Sequence, residues 1–139
     1  MMSRLGVWFM GVLARVPLPV LRAMGAALGR VLFVLVVPRR KIALRNLELC
    51  FPQASVEQRT QWARESFIVF CQTWLDRSWL WSAPQSVVEQ RVKLQGAVHE
   101  LDGDVPTIIF APHIYGLDAG GLVLPLRTSR AFTSIFSTH

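Results

Sequence analysis

The chain has 139 residues, enough for one domain of ordinary size with a moderate core. Hydrophobic residues make up 52% of it and charged residues 17%, more apolar than a typical soluble domain, which points to a membrane surface or to a missing partner. Eight of the fifteen Lys and Arg residues and none of the nine acids precede Glu48, so the N-terminal third carries +8 and the remainder −2.

Those bases are interleaved with Leu, Val, Met, Phe and Trp rather than with the polar residues that grip phosphates, which argues against nucleic acid as a partner. Anionic membrane lipid fits better. Each Lys or Arg near an anionic leaflet is worth about 1 kcal/mol, and apolar neighbours insert beside it. The competing reading is a buried helix pair with exposed arginines. Cys50 and Cys71 form no C-x-x-C and have no further cysteines to complete a zinc set or a disulfide framework. Both are read as reduced core residues on the cytosolic side, and no metal or other cofactor is expected.

Leu5 to Ala14 is apolar but short, and Arg15 and the Pro17-Leu18-Pro19 kink follow it. The next apolar stretch, Val20 to Val37, is broken by Arg22 and Arg30, whose spacing puts both on one side of a helix. Neither stretch is a clean bilayer span or cleavable signal. The region reads as two short helices in or dipping into the membrane interface, with a single span as the alternative, and Pro38 is expected to end the second. In Ile42 to Leu49 the apolar residues only partly follow helical spacing, and Phe51-Pro52 closes the segment. Ser55-x-x-Gln58 is a capping box that opens a long amphipathic helix, roughly Val56 to Trp81, with Ala63, Phe67, Phe70, Trp74 and Trp81 at helical intervals. Its Trp62, Trp74, Trp79 and Trp81 are either core or an interfacial belt, and an aromatic stripe at helical spacing is more often core.

After Pro84 the pattern shortens. Val92–Gln95 reads as a strand, Asp102-Gly103-Asp104 as a turn, Thr107–Ala111 as a buried strand, 117–125 as a helix and Ala131–Phe136 as another strand. Strand, helix and strand make a βαβ unit, so the expected fold class is α/β with a mostly parallel sheet flanked by helices. Residues 1–37 would be a membrane-associated helical anchor and 38–139 the N-terminal part of the α/β domain.

The chemistry concentrates where the buried strand ends, at Pro112-His113-Ile114-Tyr115-Gly116-Leu117-Asp118. Open α/β sheets place their ligands at the carboxyl ends of strands. On one continuous helix the His113-to-Asp118 offset would hold the two side chains apart. The pair works if His113 sits in the loop and Asp118 in the first turn of the next helix, with Gly116 supplying the backbone freedom. Asp118 can then fix the tautomer of His113 and stabilise its imidazolium, while the other ring nitrogen takes a proton from a substrate hydroxyl. No enzyme nucleophile is marked: Ser129 and Ser134 lie outside the motif, and the G-x-S-x-G elbow of a serine hydrolase is missing.

The strand-Pro-His-Gly-Asp order, the basic apolar N-terminus and the segment PRRKIALRNLELCFP (Pro38 to Pro52) together resemble the bacterial late acyltransferases of lipid A biosynthesis, the lauroyl and myristoyl transferase family. The resemblance runs from near the N-terminus to about Phe136. It implies transfer of a fatty acyl group, from acyl carrier protein or coenzyme A, to a hydroxyl of a lipid A precursor at the cytoplasmic face of the inner membrane. His113 would be the general base and Asp118 its orienting partner. Tyr115, Gly116, Arg39, Arg40 and Lys41 are the candidate substrate-binding residues; the basic run would attract an acidic carrier or lipid phosphates. Many members carry Glu at the acid position and an aromatic residue after the His, where this chain has Asp118 and Ile114. The first keeps the charge with a shorter reach, and the second bears on acceptor preference. Relatives of this kind are longer, with an arginine-containing and a glycine-rich segment that have no counterpart here, so a truncated chain is expected. The alternatives are an inactive membrane-binding fragment and an acyltransferase acting on a lysophospholipid.

Overall fold

Helices dominate the described residues, and prolines and glycines decide where they begin and how closely they pack. A computed structural model describes residues 2–101, 103, 105–112, 114–128, 131 and 133. It divides into two compact units, Met1–Ser82 and Ala83–His139.

The first unit holds α1 (Met2–Leu13), α2 (Leu18–Leu35), α3 (Val37–Cys50) and α4 (Val56–Ser82). Pro17 has no amide hydrogen to continue α1, but its carbonyl accepts from Leu21 N–H at 3.0 Å as α2 begins. Pro19 then sits in the first turn of α2, where a missing N–H costs nothing. The two expected N-terminal helices are therefore present, and Arg22 and Arg30 share α2. Pro38 behaves otherwise than expected. The break falls at Val36, which caps α2 through its N–H to the Leu32 carbonyl, and Pro38 lies in the first turn of α3. Segment 42–49, only partly helical in its pattern, is helical throughout, and no residue of α3 is buried. Cys50 is accordingly exposed rather than a core residue, while Cys71 is buried; both are free thiols.

Leu21, Gly25, Gly29 and Phe33 form the buried stripe of α2, one residue per turn. A Cβ built on Gly25 would come within 2.9 Å of the Gln72 Cα, and one on Gly29 within 2.5 Å of the Ile68 Cα. Two helix backbones can approach this closely only across glycine. Residue 25 meets 72 and residue 29 meets 68, so α2 and α4 run antiparallel. Helices α1 and α3 also pack on α4.

Helix α4 starts as its capping box requires, with Gln58 N–H donating to Ser55 Oγ at 3.1 Å. Its buried residues are Ala63, Cys71, Leu75, Asp76, Ser78, Trp79 and Leu80, which share only Ala63 with the predicted stripe. Of that stripe Ala63 is buried and Phe67 half-buried, whereas Phe70, Trp74 and Trp81 are exposed. The glycine contact fixes which face is covered: Gly25 and Gly29 meet the backbone of α4 at Gln72 and Ile68, which lie on another side of the helix from Phe70, Trp74 and Trp81.

The second unit holds α5 (Gln85–Arg91), a 3-10 turn at Val98–Leu101 and α6 (Leu117–Arg127). Among its described residues Val88 and Val123 are the buried apolar ones, and Arg127 ties the end of α6 to the Glu89 carbonyl at 3.0 Å. Helix α6 continues past Pro125, where it was expected to stop. The proline removes one helical hydrogen bond, and the helix gains two more residues beyond it.

The α/β expectation is overturned. Among the described residues there is no strand and no sheet, and the architecture is helical. Val92–Gln95 is irregular, and 106–112 is without ladder pairing. Ile108 is 98% exposed and Phe110 89%. A parallel strand takes all its hydrogen bonds and both its covered faces from neighbours. Among the described residues no strand ladder forms at 107–111, although the run is apolar and β-branched. Most of the third expected strand, 131–136, lies outside the described residues, as do Asp102 and Asp104 of the expected turn.

Candidate functional site

The loop between Pro112 and α6 is built by two backbone contacts and one glycine. Ile114 N–H donates to the Pro112 carbonyl at 2.9 Å, and Leu117 N–H donates to the Ile114 carbonyl at 3.2 Å. Gly116, third in that four-residue turn, has φ 89° and ψ 0°. These angles belong to the third position of a type II turn, which only glycine adopts without strain. Gly116 is also the N-cap of α6, so the turn leads straight into the helix.

Asp118 consequently stands in the first turn of α6, half-buried, at the end where the helix dipole favours a negative charge. This is the position that the sequence reading required of it. Tyr115 and Ile114 are exposed beside it. His113 lies outside the described residues.

Arg39, Arg40 and Lys41 sit together near the start of α3, in the other unit. Arg39 and Lys41 are exposed. Arg40 has structural work: its Nη1 donates to the carbonyls of Phe33 at 2.9 Å and Val34 at 3.2 Å. Those are among the last carbonyls of α2, which have no partner within their own helix. The same guanidinium stands 5.5 Å from the Phe33 ring centroid, with that of Arg64 at 5.4 Å. Arg45 pairs with Glu48 at 2.6 Å and holds its carboxyl below the usual carboxylate range.

A polar cluster that the sequence reading passed over lies between α2 and α4. Asp76, almost fully buried, receives Arg22 at 2.9 Å on one carboxylate oxygen and the Trp79 indole N–H at 3.0 Å on the other. Gln72 donates to the Arg22 carbonyl at 3.0 Å. Asp76 is the one acid between Glu65 and Glu89, and a lone acid in so apolar a stretch is the signal that would have found it. An open cleft on the first unit, lined by Arg30, Arg64, Glu57 and Glu65 among others, contains none of the candidate site residues.

The family model described as bacterial lipid A biosynthesis acyltransferase matches residues 1–139. The chain is 30% identical over 126 residues to the lipid A biosynthesis palmitoleoyltransferase of Escherichia coli, covering 86% of this chain and 41% of that protein. The same figures hold for the lipid A biosynthesis acyltransferase of Shigella flexneri. The lipid A biosynthesis lauroyltransferase of E. coli is 28% identical over 98 residues, covering 70% of this chain and 32% of that protein. No solved structure matches. The chain thus spans about two fifths of the length of the first curated relatives it matches. With its whole length inside the family's pattern, it belongs to the bacterial lipid A biosynthesis acyltransferase family.

Proposed function

We propose that this chain serves transfer of a fatty acyl group from acyl carrier protein to a hydroxyl of a lipid A precursor. In this reading His113 takes the proton of the acceptor hydroxyl while Asp118 holds the ring and stabilises its charge. The hydroxyl oxygen attacks the thioester carbonyl, a C–O bond forms and the C–S bond breaks. The thiol leaves with the proton that His113 had taken. No covalent enzyme intermediate is required.

The observation that carries this reading is the placement of Asp118, set by the Gly116 turn into the first turn of α6, five residues after His113. Family membership supplies the reaction class. The exposed cations Arg39 and Lys41 are suited to an acidic carrier or to lipid phosphates. Residues 1–37 act as the anchor at the cytoplasmic face of the inner membrane. Support for this comes from α2, a helix long and apolar enough to cross a membrane by length and composition, and from the +8 charge, which suits anionic lipid.

An acyl-transfer assay on the full-length protein tests the base assignment. His113→Ala is expected to lower kcat by at least about 100-fold with the helical circular dichroism unchanged. Unchanged turnover would remove His113 from the mechanism.

A further inference from the structure

We propose that the cleft between α2 and the first half of α4 binds the headgroup of a phospholipid that carries a phosphodiester and a primary amine. The lipid assignment rests on residues 1–37 being the membrane anchor; the charge pattern of the cleft does not.

The antiparallel register creates the cleft. Gly25 meets Gln72 and Gly29 meets Ile68, so one turn on Phe33 comes level with Arg64, whose guanidinium stands 5.4 Å from the ring centroid. Arg64, Gln61 and Glu57 continue the stripe of α4 that carries Ile68 and Gln72, at steps of three and four residues. Helix α2 ends at Leu35, so Gln61 and Glu57 lie past its last turn. The space left there holds about 620 Å³, within the range of small-ligand sites, and its lining comes from Arg30 of α2 and from α4.

That lining is charged and evenly signed. Arg30 and Arg64 supply two cations, Glu57 and Glu65 two carboxylates, and Thr60 and Gln61 neutral hydrogen-bonding groups. Among the described residues neither arginine has a carboxylate partner; the ion pairs there are Arg22–Asp76 and Arg45–Glu48. Both carboxylates are held on the α4 side. Gln61 donates to Glu65 at 2.9 Å, and Glu57 accepts from its own backbone N–H and from the Ser55 hydroxyl, which keeps its carboxyl below the usual range. A lone anion drawn to the two guanidiniums is opposed by the two carboxylates. A ligand with both signs satisfies all four.

The rim of the cleft favours a lipid as its source. Arg30 adjoins Val31 and, one turn on, Val34, which are 50% and 62% exposed. The cationic edge of the cleft is therefore also the edge of the bare apolar side of α2. A phosphate at Arg30 and Arg64, with an ammonium at Glu57 and Glu65, leaves acyl chains free to lie along that side.

The test titrates the whole chain, held in micelles of an uncharged maltoside detergent, with dihexanoyl phosphatidylethanolamine, phosphatidylcholine and phosphatidylglycerol by isothermal calorimetry. The ethanolamine lipid is expected to bind at least about fivefold more tightly than the choline lipid, whose nitrogen has no N–H, or the glycerol lipid, which has no amine. Arg30→Gln with Arg64→Gln is expected to weaken its binding about tenfold with the helical circular dichroism unchanged. Glu65→Gln, alone or with Glu57→Gln, is expected to erase the preference while strengthening binding of the glycerol lipid. Equal affinity for the three lipids, or no effect of the arginine pair, overturns the proposal. Free phosphoethanolamine binding as tightly as the lipid assigns the cleft to a soluble ligand and also overturns it. Co-sedimentation with vesicles of phosphatidylglycerol and phosphatidylcholine, which contain no primary amine, reads the anchor separately. Binding to those vesicles without an ethanolamine preference in micelles overturns the cleft alone, and failure to co-sediment overturns the anchor and the lipid assignment with it.

Discussion

The two units of this chain meet their hydrophobic residues in opposite ways. In the first, α2 and α4 lie backbone to backbone across Gly25 and Gly29, and Leu21, Leu75 and Trp79 are buried. In the second, the apolar run Thr107–Ala111 has Ile108 and Phe110 almost fully exposed. Helices satisfy their own backbones, so a pair of them needs only complementary faces. An extended run satisfies nothing by itself, and its burial depends on what else lies beside it. Hydrophobicity alone therefore does not say where the core is.

The contrast can be broken most sharply by trimming one large residue in each unit. Leu75→Ala, in the buried face of α4, should cost about 2–5 kcal/mol. Phe110→Ala removes a larger side chain yet should change stability by less than about 0.5 kcal/mol, because little of the ring is covered. Urea unfolding in detergent, followed by circular dichroism, measures both, and equal losses would show that the 107–111 run is buried in solution. Gly29→Ala tests the helix contact directly. A methyl group set 2.5 Å from the Ile68 Cα forces the helices apart, for an expected loss of about 1–3 kcal/mol. Gly6→Ala, at a glycine with open space around it, should be neutral or slightly stabilising by the same measurement. The cap of α4 gives an intermediate effect: Ser55→Ala should cost about 1 kcal/mol, seen as a lower Tm, and Ser55→Asp should restore it.

Where the sequence could be read, a local rule was sufficient. Ser55-x-x-Gln58 marked the start of α4 to the residue, and Pro17 marked the gap between α1 and α2. Asp118 fell in the first turn of α6 because a glycine turn followed by an acid is itself a local signal. Errors arose where the outcome depends on partners. The Thr107–Ala111 pattern is apolar and β-branched, yet strand formation is decided by neighbouring chain that the pattern does not contain. Phe70, Trp74 and Trp81 repeat at helical spacing, but spacing gives only a face. Which face is buried was set by Gly25 and Gly29, some forty residues away. Pro38 was misread for a simpler reason, since the same ring that stops one helix is well tolerated in the first turn of the next.

The Arg22–Asp76 pair has a bearing on rotation and sliding. An apolar helix in greasy surroundings has little to distinguish one azimuth, or one axial setting, from another. Here two glycines and one ion pair act as a key. Shifting α2 by one turn would bring Leu21 or Phe33 into a space that admits only glycine, and would set Leu18 or Ala26 opposite Asp76. Each slipped state incurs a clash and an unpaired carboxylate together, so the helix pair has one indexed position. That index also fixes the direction in which the chain leaves α2 for the cations of α3.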